Sequence, residues 1–124
     1  MSFRILVIDD DQALRLLYKS ELESEGYRVD CVGSGKEALK IFSDGSYAVA
    51  LVDIEMPDIS GLELLGKLRK ESPQTALILN SAYAVYKADF KSWMADGYVV
   101  KSSDLQVLKD KIRKVVTEHE TVRK

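Results

Sequence analysis

The stretch Ala48-Val49-Ala50-Leu51-Val52, followed at once by Asp53, decides how this chain folds. Five apolar residues in a row, with no polar alternation, describe a strand covered on both faces. That is the condition of a strand inside a parallel sheet with helices packed on either side. On its C-terminal side, Ser60 and Glu63 form a capping box ahead of Leu62, Leu65 and Leu68, and Ser72-Pro73 closes that helix.

Working outward, the same strand-then-helix unit recurs. Arg4–Ile8 is a first strand, and Gln12–Glu25 a first helix with Leu14, Leu17, Tyr18 and Leu22 on one face. Gly26 stands where a left-handed cap needs glycine. Arg28–Val32 is the second strand. Ser34 and Glu37 cap a helix with Ala38, Ile41 and Phe42 inward, and Asp44-Gly45 stops it. Beyond the central unit, Ala76–Leu79 is the fourth strand. Tyr86, Phe90 and Trp93 at i, i+4, i+7 mark a weaker fourth helix. Tyr98–Val100 is the fifth strand. Ser103 and Gln106 cap a last helix with Leu105, Leu108, Ile112, Val115 and Val116 inward, and after His119 the tail is polar.

Five strictly alternating βα units imply right-handed crossovers and an α/β sandwich. The expected architecture is a doubly wound, flavodoxin-like (βα)5 fold, with a five-stranded parallel sheet in the order 2-1-3-4-5 and helices on both faces. The 124 residues form one domain, 1–124, with an ordered core over about 3–119. A net charge of −2, with basic residues scattered, excludes a nucleic-acid surface. The N-terminus is no signal peptide and no stretch reaches membrane-spanning length. Cys31 is alone, so no internal disulfide forms, and a free thiol fits a reducing compartment. The expected location is the cytoplasm.

Ligands of such sheets bind outside the carboxyl ends of the strands, where strand order reverses. The residues ending each strand are Asp9-Asp10-Asp11 after the first, Asp53 after the third, Asn80-Ser81 after the fourth and Lys101 after the fifth. Carboxylates gathered at one edge repel unless a cation neutralises them. An oxygen-only, water-accessible site suits Mg²⁺, and the single histidine lies far from these strand ends, which speaks against zinc. Mg²⁺ beside a free carboxylate, with a lysine and a hydroxyl in reach, is an arrangement for phosphoryl transfer.

At this point four segments match a known family: Ile5-Leu6-Val7-Ile8-Asp9-Asp10-Asp11, Leu51 to Gly61 with its Met56-Pro57, Leu79-Asn80-Ser81-Ala82-Tyr83, and Gly97-Tyr98-Val99-Val100-Lys101. The chain resembles the response-regulator receiver domain of two-component signalling, of the chemotaxis-regulator type, over essentially its whole length. That resemblance implies that Asp53 accepts a phosphoryl group from a phosphohistidine of a sensor histidine kinase or phosphotransfer protein. Asp9, Asp10, Asp53 and the main-chain carbonyl of Glu55 would hold Mg²⁺. Ser81 and Lys101 would bind the new phosphoryl group. Ser81 and Tyr98 would act as the switch on the face of the fourth helix, fifth strand and fifth helix, and Glu55 and Tyr83 would tune the lifetime of the acyl phosphate. The domain would be a phosphoacceptor rather than a turnover enzyme, its downstream partner is open, and a phosphorylation-dependent homodimer is admitted. Ser102 departs from the family, which usually has proline after this lysine, commonly with a cis peptide.

Blander readings attach to several residues. Asp11 reads as a helix N-terminal carboxylate, Cys31 as a buried small apolar residue, and His119 as an exposed bystander. Gly33-Ser34-Gly35-Lys36 fails the P-loop pattern at Asp30 and at Glu37. Three rival functions stand beside the receiver: a haloacid-dehalogenase-like phosphatase with Asp9 as nucleophile, a flavodoxin-like cofactor module, and a degenerate receiver serving only as an interaction module.

Overall fold

A computed structural model describes residues 3–42, 47–82, 95–102 and 104–123, with side chains as far as Glu118. Its strands are β1 (Arg4–Ile8), β2 (Arg28–Val32), β3 (Val49–Asp53), β4 (Ala76–Ser81) and β5 (Gly97–Val100). Its helices are α1 (Gln12–Ser24), α2 (Gly35–Phe42), α3 (Gly61–Glu71) and α4 (Gln106–Arg123). The strands form one parallel sheet in the order β2-β1-β3-β4-β5, as expected. The helix expected at Tyr86, Phe90 and Trp93, and Tyr83 with it, lie outside the described residues, so the helix after β5 is numbered α4.

Strand β3 is buried from end to end, so its unbroken apolar run serves two cores. Ala50 and Val52 face Leu64, Leu65 and Leu68 of α3, together with Ala38 and Phe42 of α2. Val49 and Leu51 face the other layer, Tyr18 and Leu22 of α1 and Leu108, Ile112 and Val115 of α4. Two inward assignments need correction. Leu17 is 45% exposed, because α1 follows the i, i+4, i+8 line Leu14, Tyr18, Leu22 and turns Leu17 onto its flank. In α3 it is Leu64 that is fully buried, while Leu62 only packs against the margin of the core. Cys31 is half-buried rather than buried, its thiol donating weakly to the Arg15 carbonyl at 3.6 Å.

Two ends are closed as the composition indicates. At α1, the N–H of Tyr27 bonds the Leu22 carbonyl and that of Gly26 the Glu23 carbonyl, the paired closure that needs Gly26 at φ 97°. At α3, Ser60 Oγ accepts from the Glu63 N–H at 3.1 Å. Gly61 has a second reason to be glycine. Its N–H bonds the Ile54 carbonyl at 2.8 Å, and an added Cβ would lie 2.3 Å from the Asp53 carbonyl oxygen and 2.6 Å from Ile54 Cα. Both obstacles are backbone. Gly61→Ala is therefore expected to lose about 1–3 kcal/mol, the scale of core overpacking. A urea midpoint equal to that of the parent would show that the loop can move aside.

Arg4, Asp30 and Tyr47 form a polar brace between β1, β2 and the approach to β3. Asp30 Oδ2 accepts from the Tyr47 hydroxyl at 2.7 Å and pairs with Arg4 at 2.9 Å, and the Arg4 guanidinium lies 4.6 Å from the Tyr47 ring centre. The Tyr47 and Arg4 hydrogen bonds hold the Asp30 carboxyl below its usual range against a burial effect that opposes them. Burial and the neighbouring Asp30 push the Tyr47 hydroxyl up to about 12. A carboxyl depressed in the fold stabilises it above the unfolded value and loses that contribution as pH falls. Asp30→Asn should thus be less stable than the parent at pH 7, with the gap closing below about pH 4. Urea melts across that range check it, and a gap independent of pH would assign the loss to packing.

Candidate functional site

The sheet carries the sequence-designated residues to one edge and holds most of them by main-chain bonds. The Asp9 N–H still donates to the Val32 carbonyl, so β1 delivers Asp9 as if it were one more strand residue. Asp53 is the last residue of β3, opposite Asn80. Strand β4 runs two residues beyond its expected end at Leu79, so Ser81 sits in the ladder opposite Val100 rather than in a loop. The Lys101 N–H then bonds the Ser81 carbonyl at 2.7 Å.

Asp9 and Asp53 are 2% and 6% exposed, and Lys101 bridges them. Its Nζ lies 2.9 Å from Asp9 Oδ2 and 3.3 Å from Asp53 Oδ2. The remaining oxygens are turned to the main chain: Asp9 Oδ1 accepts from the Asp11 N–H and Asp53 Oδ1 from the Glu55 N–H. Burial raises the Asp53 carboxyl above its ordinary range, and Asp9 adds to this, while Lys101 and the Glu55 N–H oppose it. Burial alone would lower the Lys101 ammonium, but the two carboxylates outweigh it and hold the group above its ordinary range.

Asp9, Asp10, Asp53, Glu55, Ser81 and Lys101 all line one open cavity of about 480 Å³. Oxygens of Asp9, Asp10 and Asp53 lie within 4.8 Å of one another, two of these residues buried and Asp10 exposed at the rim. Asp9 Oδ2 is buried without a directed hydrogen bond among the described residues, its contact with Lys101 being an ion pair. All-oxygen donors, surplus negative charge and one side open to water fit a hard divalent cation that keeps part of its hydration shell. Asp11 also borders the cavity, but its carboxylate is engaged as the cap of α1, accepting from Ala13 and Leu14. Tyr98 stands apart, 6% exposed within the core on the α2–α3 side of the sheet.

Three supports escaped the sequence reading. Arg15 reaches back from α1 to bond the Asp9 carbonyl at 2.7 Å, fixing the acidic loop from below. Asp58 accepts from the N–H groups of Gly35 and Lys36, each at 3.0 Å, and so ties the loop bearing Glu55 to the start of α2. Those two bonds hold its carboxyl below the usual range. Asn80 bonds the Tyr18 hydroxyl at 3.0 Å inside the opposite layer. The only signal for the last was an amide following a run of apolar strand residues. Where proline is usual, Ser102 accepts from the Asp104 N–H at 3.1 Å, and Asp104 in turn accepts from the Gln106 N–H at 3.0 Å. This is a side-chain-capped turn into α4.

Residues 5–113 match the profile of the response regulator receiver domain. The transcriptional regulatory protein YkoG of Bacillus subtilis is 34% identical over 119 residues, which are 94% of this chain and 52% of that protein. The chain spans about half the length, or less, of such curated relatives. Among solved structures, TrrA of Thermotoga maritima in complex with Mg²⁺–BeF is 49% identical with a TM-score of 0.85, covering 91% of this chain and 98% of TrrA. TrrA in complex with the histidine kinase ThkA aligns with a TM-score of 0.84, at 49% identity over 91% of this chain and 97% of TrrA. With the sheet order, the acidic edge and the lysine already in view, the chain belongs to the response regulator receiver domain family.

Proposed function

We propose that Asp53 is the phosphoacceptor of this receiver, taking a phosphoryl group from a phosphohistidine of a sensor histidine kinase or phosphotransfer protein. The observation that carries the reading is the convergence of Asp53, Asp9, Asp10, Ser81 and Lys101 on one cavity. The Mg²⁺–BeF complex of TrrA and its complex with ThkA support it by likeness.

An Asp53 carboxylate oxygen attacks phosphorus as the P–N bond to the histidine breaks, and the imidazole leaves with that electron pair. Lys101, 3.3 Å from Asp53 and resting on Asp9, keeps the attacking carboxylate ionised and then pairs with the transferred oxygens. Ser81 donates its hydroxyl to the acyl phosphate. Asp10, Asp53, Asp9 and the Glu55 carbonyl hold Mg²⁺. When bound, the ion neutralises phosphoryl charge and orients the group for in-line attack. Tyr98 and Ser81 form the switch that alters the face made by β5, α4 and the helix expected around Tyr86, Phe90 and Trp93, which lies outside the described residues. Glu55 sets the lifetime of the acyl phosphate, a role also assigned to Tyr83, which lies outside the described residues. The protein acts as a switch and not as a turnover enzyme, in the cytoplasm, and no described helix is long and apolar enough to cross a membrane. The domain 1–124 works either alone or as the receiver of a longer regulator.

Acetyl phosphate with Mg²⁺ should add one phosphoryl mass that peptide mapping assigns to Asp53, and Asp53→Asn should abolish it. Label on Asp9 instead would favour the phosphatase chemistry, and no label under any condition a degenerate interaction module. Asp10→Ala should weaken Mg²⁺ binding at least about tenfold, the scale on which metal sites respond to loss of supporting groups. Titration followed by NMR or calorimetry measures it, and an unchanged affinity would remove Asp10 from the metal site.

A further inference from the structure

Asn80 is an uncharged polar residue near the C-terminal end of the interior strand β4, paired in register with Asp53 on one side and Val99 on the other. It is 2% exposed. Its amide lies in the α1–α4 layer, where Nδ2 donates to the Tyr18 hydroxyl at 3.0 Å. Oδ1 is buried and has no hydrogen-bond partner among the described residues. Turning the amide over exchanges the two atoms and still leaves one of them unsatisfied. A buried amide atom without a partner costs about 1–3 kcal/mol, so such groups in folded proteins nearly always meet protein or water.

A cavity of about 10 Å³ adjoins this amide, lined by Tyr18, Asn80, Lys101, Ser102 and Asp104 among apolar residues of β5 and α4. That is about the smallest volume that holds one water molecule, and Asn80 Oδ1 offers it a polar partner. The loop after β5 lacks a stiffening proline, and its own bonds, Asp104 N–H to Ser102 Oγ and Gln106 N–H to Asp104 Oδ1, are exposed to competing solvent. On the sheet side the Lys101 N–H bonds the Ser81 carbonyl at 2.7 Å, and Asn80 borders the cavity beside the next residue, Ser102.

We propose that Asn80 holds one buried water between β4 and the loop after β5, and that this water-linked contact adds to the Ser81 main-chain bond in positioning Lys101 and Ser102. Asn80 is then a positioning residue for the phosphoryl-binding lysine. This consequence rests on the receiver reading, whereas the water site does not.

The parent protein should show an NMR cross-peak between a long-lived water and amide protons of the Lys101–Ser102 segment. Asn80→Leu, with the same branching but apolar and larger, should lose that cross-peak and speed hydrogen exchange at the same amides. Asn80→Ser should keep both features near the parent. With Mg²⁺ present, beryllofluoride affinity should fall about tenfold in Asn80→Leu and recover in Asn80→Ser, while affinity for Mg²⁺ alone stays within about twofold. The proposal is overturned by a parent without the water signal, by Asn80→Leu with parental exchange and beryllofluoride affinity, or by equal losses for Mg²⁺ and beryllofluoride. Should Asn80→Leu not fold, the parent water signal and Asn80→Ser still decide. A parent that fails to bind beryllofluoride refutes the receiver reading, and the water signal and exchange rates continue to judge the site at Asn80.

Discussion

Two nearly buried carboxylates, Asp9 and Asp53, share one ammonium, and the surrounding structure is arranged to make that tolerable. Charge removed from water is stable only with close partners and satisfied oxygens, and removing one partner of such a group typically costs about 3–5 kcal/mol. Lys101 supplies the partner, and the N–H groups of Asp11 and Glu55 satisfy one oxygen of each acid. The balance remains negative, because Asp10 adds a third carboxylate at the rim. A site left with excess negative charge and an open side attracts a cation. An anionic phosphoryl group enters favourably only with such a cation present.

Rigidity at this edge comes from the sheet. Asp53 and Ser81 belong to strands, and Asp9 and Lys101 each make one more main-chain bond beyond theirs. Their backbones are therefore as fixed as the core beneath, which would suit the proposed phosphoryl transfer, a reaction whose catalysis is largely positioning. The connecting segments are fixed by side chains instead. Arg15 holds the acidic loop, Asp58 holds the loop of Glu55, and Ser102 with Asp104 shapes the entry to α4. Each of these contacts reaches past the residues that would touch the phosphoryl group, and each sets where one of them stands.

Neighbouring residues of β4 serve opposite faces of the sheet. Above β4, Ser81 borders the acidic cavity. One residue earlier, Asn80 faces the other way and meets Tyr18 of α1. Because alternate strand residues point to opposite faces, a shift of β4 that moves Ser81 also moves the amide that bonds Tyr18. The strand thus links the cavity to α1 through a buried polar contact as well as through packing.

Much of this was legible in the residues themselves. The apolar run of β3, the capping Ser60, the glycine after α1 and the polar residues ending each strand specify a local conformation or a terminus, and those depend on near neighbours. The sheet order followed because handedness and crossover rules leave few alternatives. What the residues could not disclose depends on distant partners. Only the assembled sheet carries β4 on to Ser81, brings Lys101 within reach of both Asp9 and Asp53, and sets Leu64 rather than Leu62 in the core. Only the packed layers show that Asp58 caps a helix 22 and 23 residues away, and that Asn80 meets Tyr18 across 62. Local pattern records which way a side chain faces, whereas the identity of the group it meets is decided by how separate elements pack.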